Sequence, residues 1–170
     1  MGGLPAKREQ VRAYLGGIAP ALASPRPLDE VDEADYDLVL YPGGHGPMED
    51  LAVDATSGAL LTRRLEGGRP LALLCHAPAA VLAARRADGT NPFAGRRMTG
   101  FSNLEERANP FAWKARWLLE DRLRLAGVDY SRALLPMRPH VVVDGALYSG
   151  QNPASATPLA ERLVADLGRG

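Results

Sequence analysis

The chain has 170 residues, 46% of them hydrophobic and 24% charged, with 20 basic and 20 acidic side chains and a formal net charge of zero. This is ordinary globular composition for one domain over residues 1–170. The arginine pairs Arg63-Arg64, Arg85-Arg86 and Arg96-Arg97 are scattered among acids rather than gathered in a run, which argues against a nucleic-acid partner.

The N-terminus, MGGLPAKREQ, lacks an apolar signal core, and no window approaches the ~18 apolar residues of a membrane span. Cys75 is the only cysteine, so no internal disulfide forms, which fits a reducing compartment. A soluble, cytoplasmic protein without a membrane partner is expected.

Residues 5–23 have helical character interrupted by Gly16-Gly17 and Pro20, and SPRPLDEVDEADYD reads as a proline- and acid-rich connector. DLVLYPGG predicts a short buried strand ending in a glycine turn. TSGALLTRRLEGG predicts a helix with a Gly-Gly stop. PLALLCH predicts the next buried strand, and PAAVLAARRADG a helix with Pro78 in its first turn. RRMTGFS is a third strand candidate, and residues 104–126 predict one long amphipathic helix that Pro110 either opens or breaks. PHVVVDGALYSG predicts a hairpin about Asp144-Gly145, and ASATPLAERLVADLG a closing helix.

Strands alternating with helices predict an α/β fold with a mainly parallel sheet covered by helices on both faces. Sites in such sheets gather at the carboxyl ends of strands, where YPGGHG and LCHAP both fall. A cysteine at a strand-to-helix turn meets unpaired N–H groups and a partial positive charge, which favour thiolate. The same donors hold an oxyanion when sulfur adds to a carbonyl. Leu73-Leu74-Cys75-His76-Ala77 is laid out like a nucleophile elbow, with the small residue present on one side only. His76 is placed to accept and donate the proton once a carboxylate or carbonyl fixes its tautomer. Gly44 and His76 are the candidate backbone oxyanion donors. Against this stands the ordinary reading, a buried cysteine that packs.

Taken together, DYDLVLYPGGHGPMEDL, PLALLCHAPAAVL, MTGFSNLEE and RPHVVVDGALYSGQNPASA resemble the ThiJ/PfpI superfamily, the cysteine branch related to class I glutamine amidotransferases. The nearest resemblance is to its chaperone- and glyoxalase III-like group. The resemblance implies a flavodoxin-like three-layer α/β sandwich, a homodimer or higher homo-oligomer, and a cofactor-independent Cys-His-acid site. It carries the nucleophile onto Cys75, its partner onto His76, and the acid onto Glu105 or Glu106, with Glu105 favoured. Gly44 matches the glycine whose amide faces the nucleophile, and His45 the residue at the pocket mouth. Asn152 lies near the same end by resemblance, though an Asn before Pro equally suits a turn.

Ala77 stands where the family commonly has glycine. Family members also open with a strand, a helix and a strand whose glutamate hydrogen-bonds the cysteine. This chain starts after them, so an N-terminally shortened sandwich with exposed sheet edges is expected.

Three activities are compatible with these residues. The first is glyoxalase III-like conversion of methylglyoxal, a small carbonyl substrate, to lactate. The second is a cysteine amidase or peptidase. The third is a stress chaperone or redox sensor without turnover. No metal is expected, because His45, His76 and His140 are the only histidines and lack the i, i+4 spacing of a ligand pair.

Overall fold

The computed structural model describes residues 5–108 and 115–168. They divide into two compact units, residues 1–31 and residues 32–170.

The first unit holds helix α1 (Pro5–Gly17), the short helix α2 (Ala19–Ala23) and a 3-10 turn at Leu28–Glu30. The break falls just beyond Gly16-Gly17, and Pro20 occupies the first turn of α2, where its missing N–H costs nothing.

The second unit is built on a four-stranded sheet of β1 (Val39–Tyr41), β2 (Leu71–Leu74), β6 (Leu147–Gly150) and β5 (Val141–Asp144), in that spatial order. β1, β2 and β6 run parallel, while β5 pairs antiparallel with β6 through the expected hairpin. Gly145 opens that two-residue turn at φ +61°, a conformation glycine adopts without strain. The mainly parallel α/β architecture is therefore as the sequence predicts. β1 forms one edge of the sheet, and its Leu40 is half exposed. A separate parallel pair, β3 (Arg97–Met98) with β4 (Asp129–Tyr130), lies beside β5.

Alternation along β2 buries both faces of the sheet. Leu71 and Leu73 join Leu61, Phe93, Met98 and Leu147 in the larger core on one side. Ala72 packs on the other side with Tyr148, Leu159 and Leu163, the last two from helix α6 (Ala156–Leu167). The larger core is closed by helix α3 (Ala55–Glu66), the 3-10 turn Ala77–Ala83 and helix α5 (Leu119–Leu125). Helices thus cover both faces, giving three layers.

α3 starts where Asp54 accepts the Ser57 N–H at 2.6 Å. Its fully buried Arg64 donates to the carbonyls of Pro70, Glu33 and Asp37, tying the helix to the segment that leads into β1. Gly58 lies against the end of the Ala77–Ala83 turn, where an added Cβ would collide with the Ala83 carbonyl.

Two expectations are corrected, and one strand was not foreseen. The single helix over 104–126 is instead α4 (Asn103–Ala108) and α5, with Ala115–Leu118 non-helical between them. Pro110 lies outside the described residues. The two helices begin side by side: Asn103 donates its N–H to Glu120 and its side-chain amide to Asp121, so the chain folds back rather than continuing. The helix expected after Cys75 is only the 3-10 turn, ending where Ala84 turns extended. β4, just two residues long, carries no alternation that would have revealed it.

Among the described residues, no helix is long and apolar enough to cross a membrane.

Candidate active site

Cys75 directly follows β2 and has φ +63°. For a residue with a Cβ this conformation costs on the order of 1–2 kcal/mol. The end of β6 and the segment after β3 hold it there: its N–H donates to the Gly150 carbonyl and its carbonyl accepts from the Phe101 N–H, both at 2.8 Å. The chain must therefore turn sharply at the nucleophile position, as in a serine elbow.

Facing it is the loop after β1, where Gly43 and Gly44 both have positive φ, +93° and +90°. A Cβ at Gly43 would overlap the Leu74 carbonyl and come within 3.0 Å of the Cys75 Cβ. That close approach aims the Gly44 N–H at the Cys75 sulfur, alongside the N–H of His76. The two amides expected as oxyanion donors are thus brought together.

His76 is 2% exposed, its ring stacked between those of His45 and Phe101 at centroid distances of 4.1 and 4.4 Å. Its Nδ1 lies 3.3 Å from Cys75 Sγ and its Nε2 lies 2.6 Å from Glu106 Oε2. A carboxylate only accepts, so Nε2 carries the proton and Nδ1 presents its lone pair to the thiol. Glu106 also meets His45 Nε2, at 3.2 Å through Oε1.

The acid that meets His76 is therefore Glu106, not the favoured Glu105. Successive residues on a helix point about 100° apart, and Glu105 points the other way. It is fully buried and accepts from Ser102 N–H and Oγ, Gln151 Nε2, Asn152 Nδ2 and Met137 N–H, at 2.7–3.0 Å. Asn152, read either as a neighbour of the site or as a turn residue, bonds Glu105 and also forms a turn. Its Nδ2 reaches Glu105 while its Oδ1 caps the 3-10 turn at Pro153–Ser155.

The electrostatics also differ from the expected resting thiolate. Burial pushes the Cys75 thiol up to about 11, and the charges of Glu105 and Glu106 add to this, against the N–H groups of His76 and Gly44. Burial likewise holds the His76 imidazole below its ordinary value, with the Glu106 hydrogen bond opposing. Near neutral pH the pair is a thiol facing a neutral imidazole, so sulfur becomes nucleophilic only as His76 takes its proton.

His45 has a side chain 56% exposed and lines a cavity of about 330 Å³ together with Gly46, Met48, Glu49, Ala115, Arg116 and Trp117. Neither Cys75 nor His76 lines this cavity; His45 joins it to the site through its contact with the His76 ring.

Residues 20–166 match the DJ-1/PfpI family. The chain is 32% identical over 144 residues to the "Glutamine amidotransferase-like class 1 domain-containing protein 1" of Bos taurus, covering 85% of this chain and 65% of that protein. It is 30% identical over 140 residues to the "Probable glutathione-independent glyoxalase hsp3103" of Schizosaccharomyces pombe, covering 78% and 54%. The solved structure of the rapid encystment protein of Francisella tularensis superposes with a TM-score of 0.78 at 30% identity, covering 84% of this chain and 63% of that one. The chain thus spans less than two thirds of the length of each of these relatives. The family match, over residues 20–166, establishes that this chain belongs to the DJ-1/PfpI family.

Proposed function

We propose that this site is a cofactor-independent cysteine catalyst acting on small reactive dicarbonyls in the glyoxalase manner, with Cys75 as nucleophile, His76 as proton carrier and Glu106 as the acid that orients it. The observation that carries the reading is the relay Sγ–Nδ1 at 3.3 Å and Nε2–Oε2 at 2.6 Å, with two backbone amides at the sulfur.

Attack on the aldehyde carbon of methylglyoxal forms an S–C bond, while the thiol proton passes to His76 Nδ1. The developing oxyanion is held by the Gly44 and His76 amides and then takes the proton from His76, giving a hemithioacetal. His76 Nδ1, again neutral, removes the proton from the former aldehyde carbon. The resulting enediolate is reprotonated by His76 at the neighbouring carbon, while the hydroxyl proton of the former aldehyde carbon passes to the neighbouring oxygen. The product is a thioester of a 2-hydroxy acid, which water cleaves to lactate and free Cys75. The hydrogen moves within the substrate, so no external oxidant or reductant is needed. The relative named a glyoxalase supports this assignment.

The amidase reading uses the same donors and draws on the relative named as glutamine amidotransferase-like. Redox sensing is disfavoured, since a thiol raised to about 11 presents little of the oxidisable thiolate. Purified protein is expected to convert methylglyoxal to lactate, with the Cys75→Ser variant at least about 100-fold slower. Equal rates in the two proteins would refute the proposal, and an acyl adduct on Cys75 after glutamine or peptide treatment would replace it with the amidase.

A further inference from the structure

His45, His76 and Glu106 converge although they are far apart in sequence. Each offers one ligand atom, and all of these atoms lie within 4.8 Å of one another. His45 Nε2 and His76 Nε2 approach different oxygens of the same carboxylate, at 3.2 and 2.6 Å. A tetrahedral zinc site with ligand bonds near 2.1 Å needs ligand atoms roughly 3.4 Å apart. The cluster is thus within small side-chain rotations of that spacing. Two of the three groups are buried, whereas His45 is 56% exposed on its side chain. The fold therefore supplies two buried ligands and one at the surface.

From this geometry we propose that His45, His76 and Glu106 form a Zn2+ site, a second use of the His76–Glu106 pair beyond the dicarbonyl reaction. Two imidazoles and one carboxylate match a zinc centre with an open fourth position. His45 also lines the cavity, so water can fill that position. Cys75 stays off the metal: its sulfur faces Nδ1 of His76, whereas the metal takes Nε2. Metal and acid–base chemistry compete for one atom. Binding at Nε2 moves the single imidazole proton to Nδ1, the other tautomer, where it faces sulfur and blocks acceptance of the thiol proton. Zinc occupancy and thiol catalysis are mutually exclusive states of one pocket.

The test uses the full chain, stripped of metal and titrated with Zn2+ against a chromophoric chelator, with Co2+ as the spectroscopic probe. The expected result is one equivalent bound, with the intense visible bands of four-coordinate Co2+ and no sulfur-to-cobalt charge-transfer band. Cys75→Ser should bind equally well, and His45→Ala should weaken binding on the order of 100-fold. His45 is exposed enough for that variant to fold, which circular dichroism would verify. Unchanged affinity in His45→Ala, lost affinity in Cys75→Ser, or a sulfur charge-transfer band would each overturn the proposal. All readouts are of binding, so a protein inactive on carbonyls fails the catalytic reading alone.

Discussion

Cys75 is held in a costly backbone conformation and also in an environment that keeps its proton on. The positive φ turns the chain sharply at the sulfur, while burial and two nearby carboxylates disfavour its charge. Alkylation by iodoacetamide should therefore keep accelerating as pH rises past the ordinary thiol value, with its midpoint near the folded value of about 11. A rate already at plateau by pH 9 would contradict this electrostatic picture. Glu105 is the converse case. Burial alone would raise its carboxyl, yet hydrogen bonds from Ser102, Asn152 and Gln151 outweigh burial and hold it below the usual carboxylate range. A carboxylate with a lowered folded value stabilises the protein above the unfolded value, about 4.3, and that contribution fades as pH falls through the folded one. Glu105→Gln sets an amide against at least one of these donors, so it should cost about 2–3 kcal/mol at pH 7 in urea unfolding. In the variant, the loss of stability between pH 7 and pH 3 should be correspondingly shallower.

Gly58 sets how closely α3 can approach the turn that follows Cys75. The methyl of Gly58→Ala would press on the Ala83 carbonyl, and backbone there cannot swing aside as a side chain can. The variant should lose about 1–3 kcal/mol in chemical denaturation. Alanine at Gly16, where an added Cβ meets nothing within 4 Å, should not be destabilising. Elements whose signal is local were legible in the sequence. The apolar runs at β1 and β2, the Asp144-Gly145 turn and the α6 pattern each carry their structure in neighbouring residues. What distant partners decide was not legible. Glu105 and Glu106 are equivalent in sequence, and the choice between them depends on how α4 is rotated about its axis. That rotation is fixed by donors from Met137, Gln151 and Asn152. The fold-back between α4 and α5 likewise rests on Asn103 meeting Glu120 and Asp121, and the meeting of His45 with Glu106 on a loop after β1 approaching α4.

Both hydrophobic clusters and every candidate site residue belong to the unit over residues 32–170. The other unit has a different character: between Arg8 and Val31 no described side chain is buried, and Val11, Tyr14, Leu15 and Leu22 are exposed on its helices. A helix as short as the 13-residue α1 is marginal in water without a packed face, and an unburied segment adds little to a cooperative core. Arg64, by contrast, fastens α3 to carbonyls at Glu33 and Asp37, which lie inside the larger unit. A chain lacking residues 1–31 should therefore unfold in one cooperative transition with a midpoint within a few degrees of the full chain. It should also keep the same pH profile of Cys75 alkylation, because the groups that shift the thiol all lie beyond residue 32. A large drop in the midpoint, or an alkylation profile displaced toward that of a free thiol, would mean that the first 31 residues support the sheet or the site.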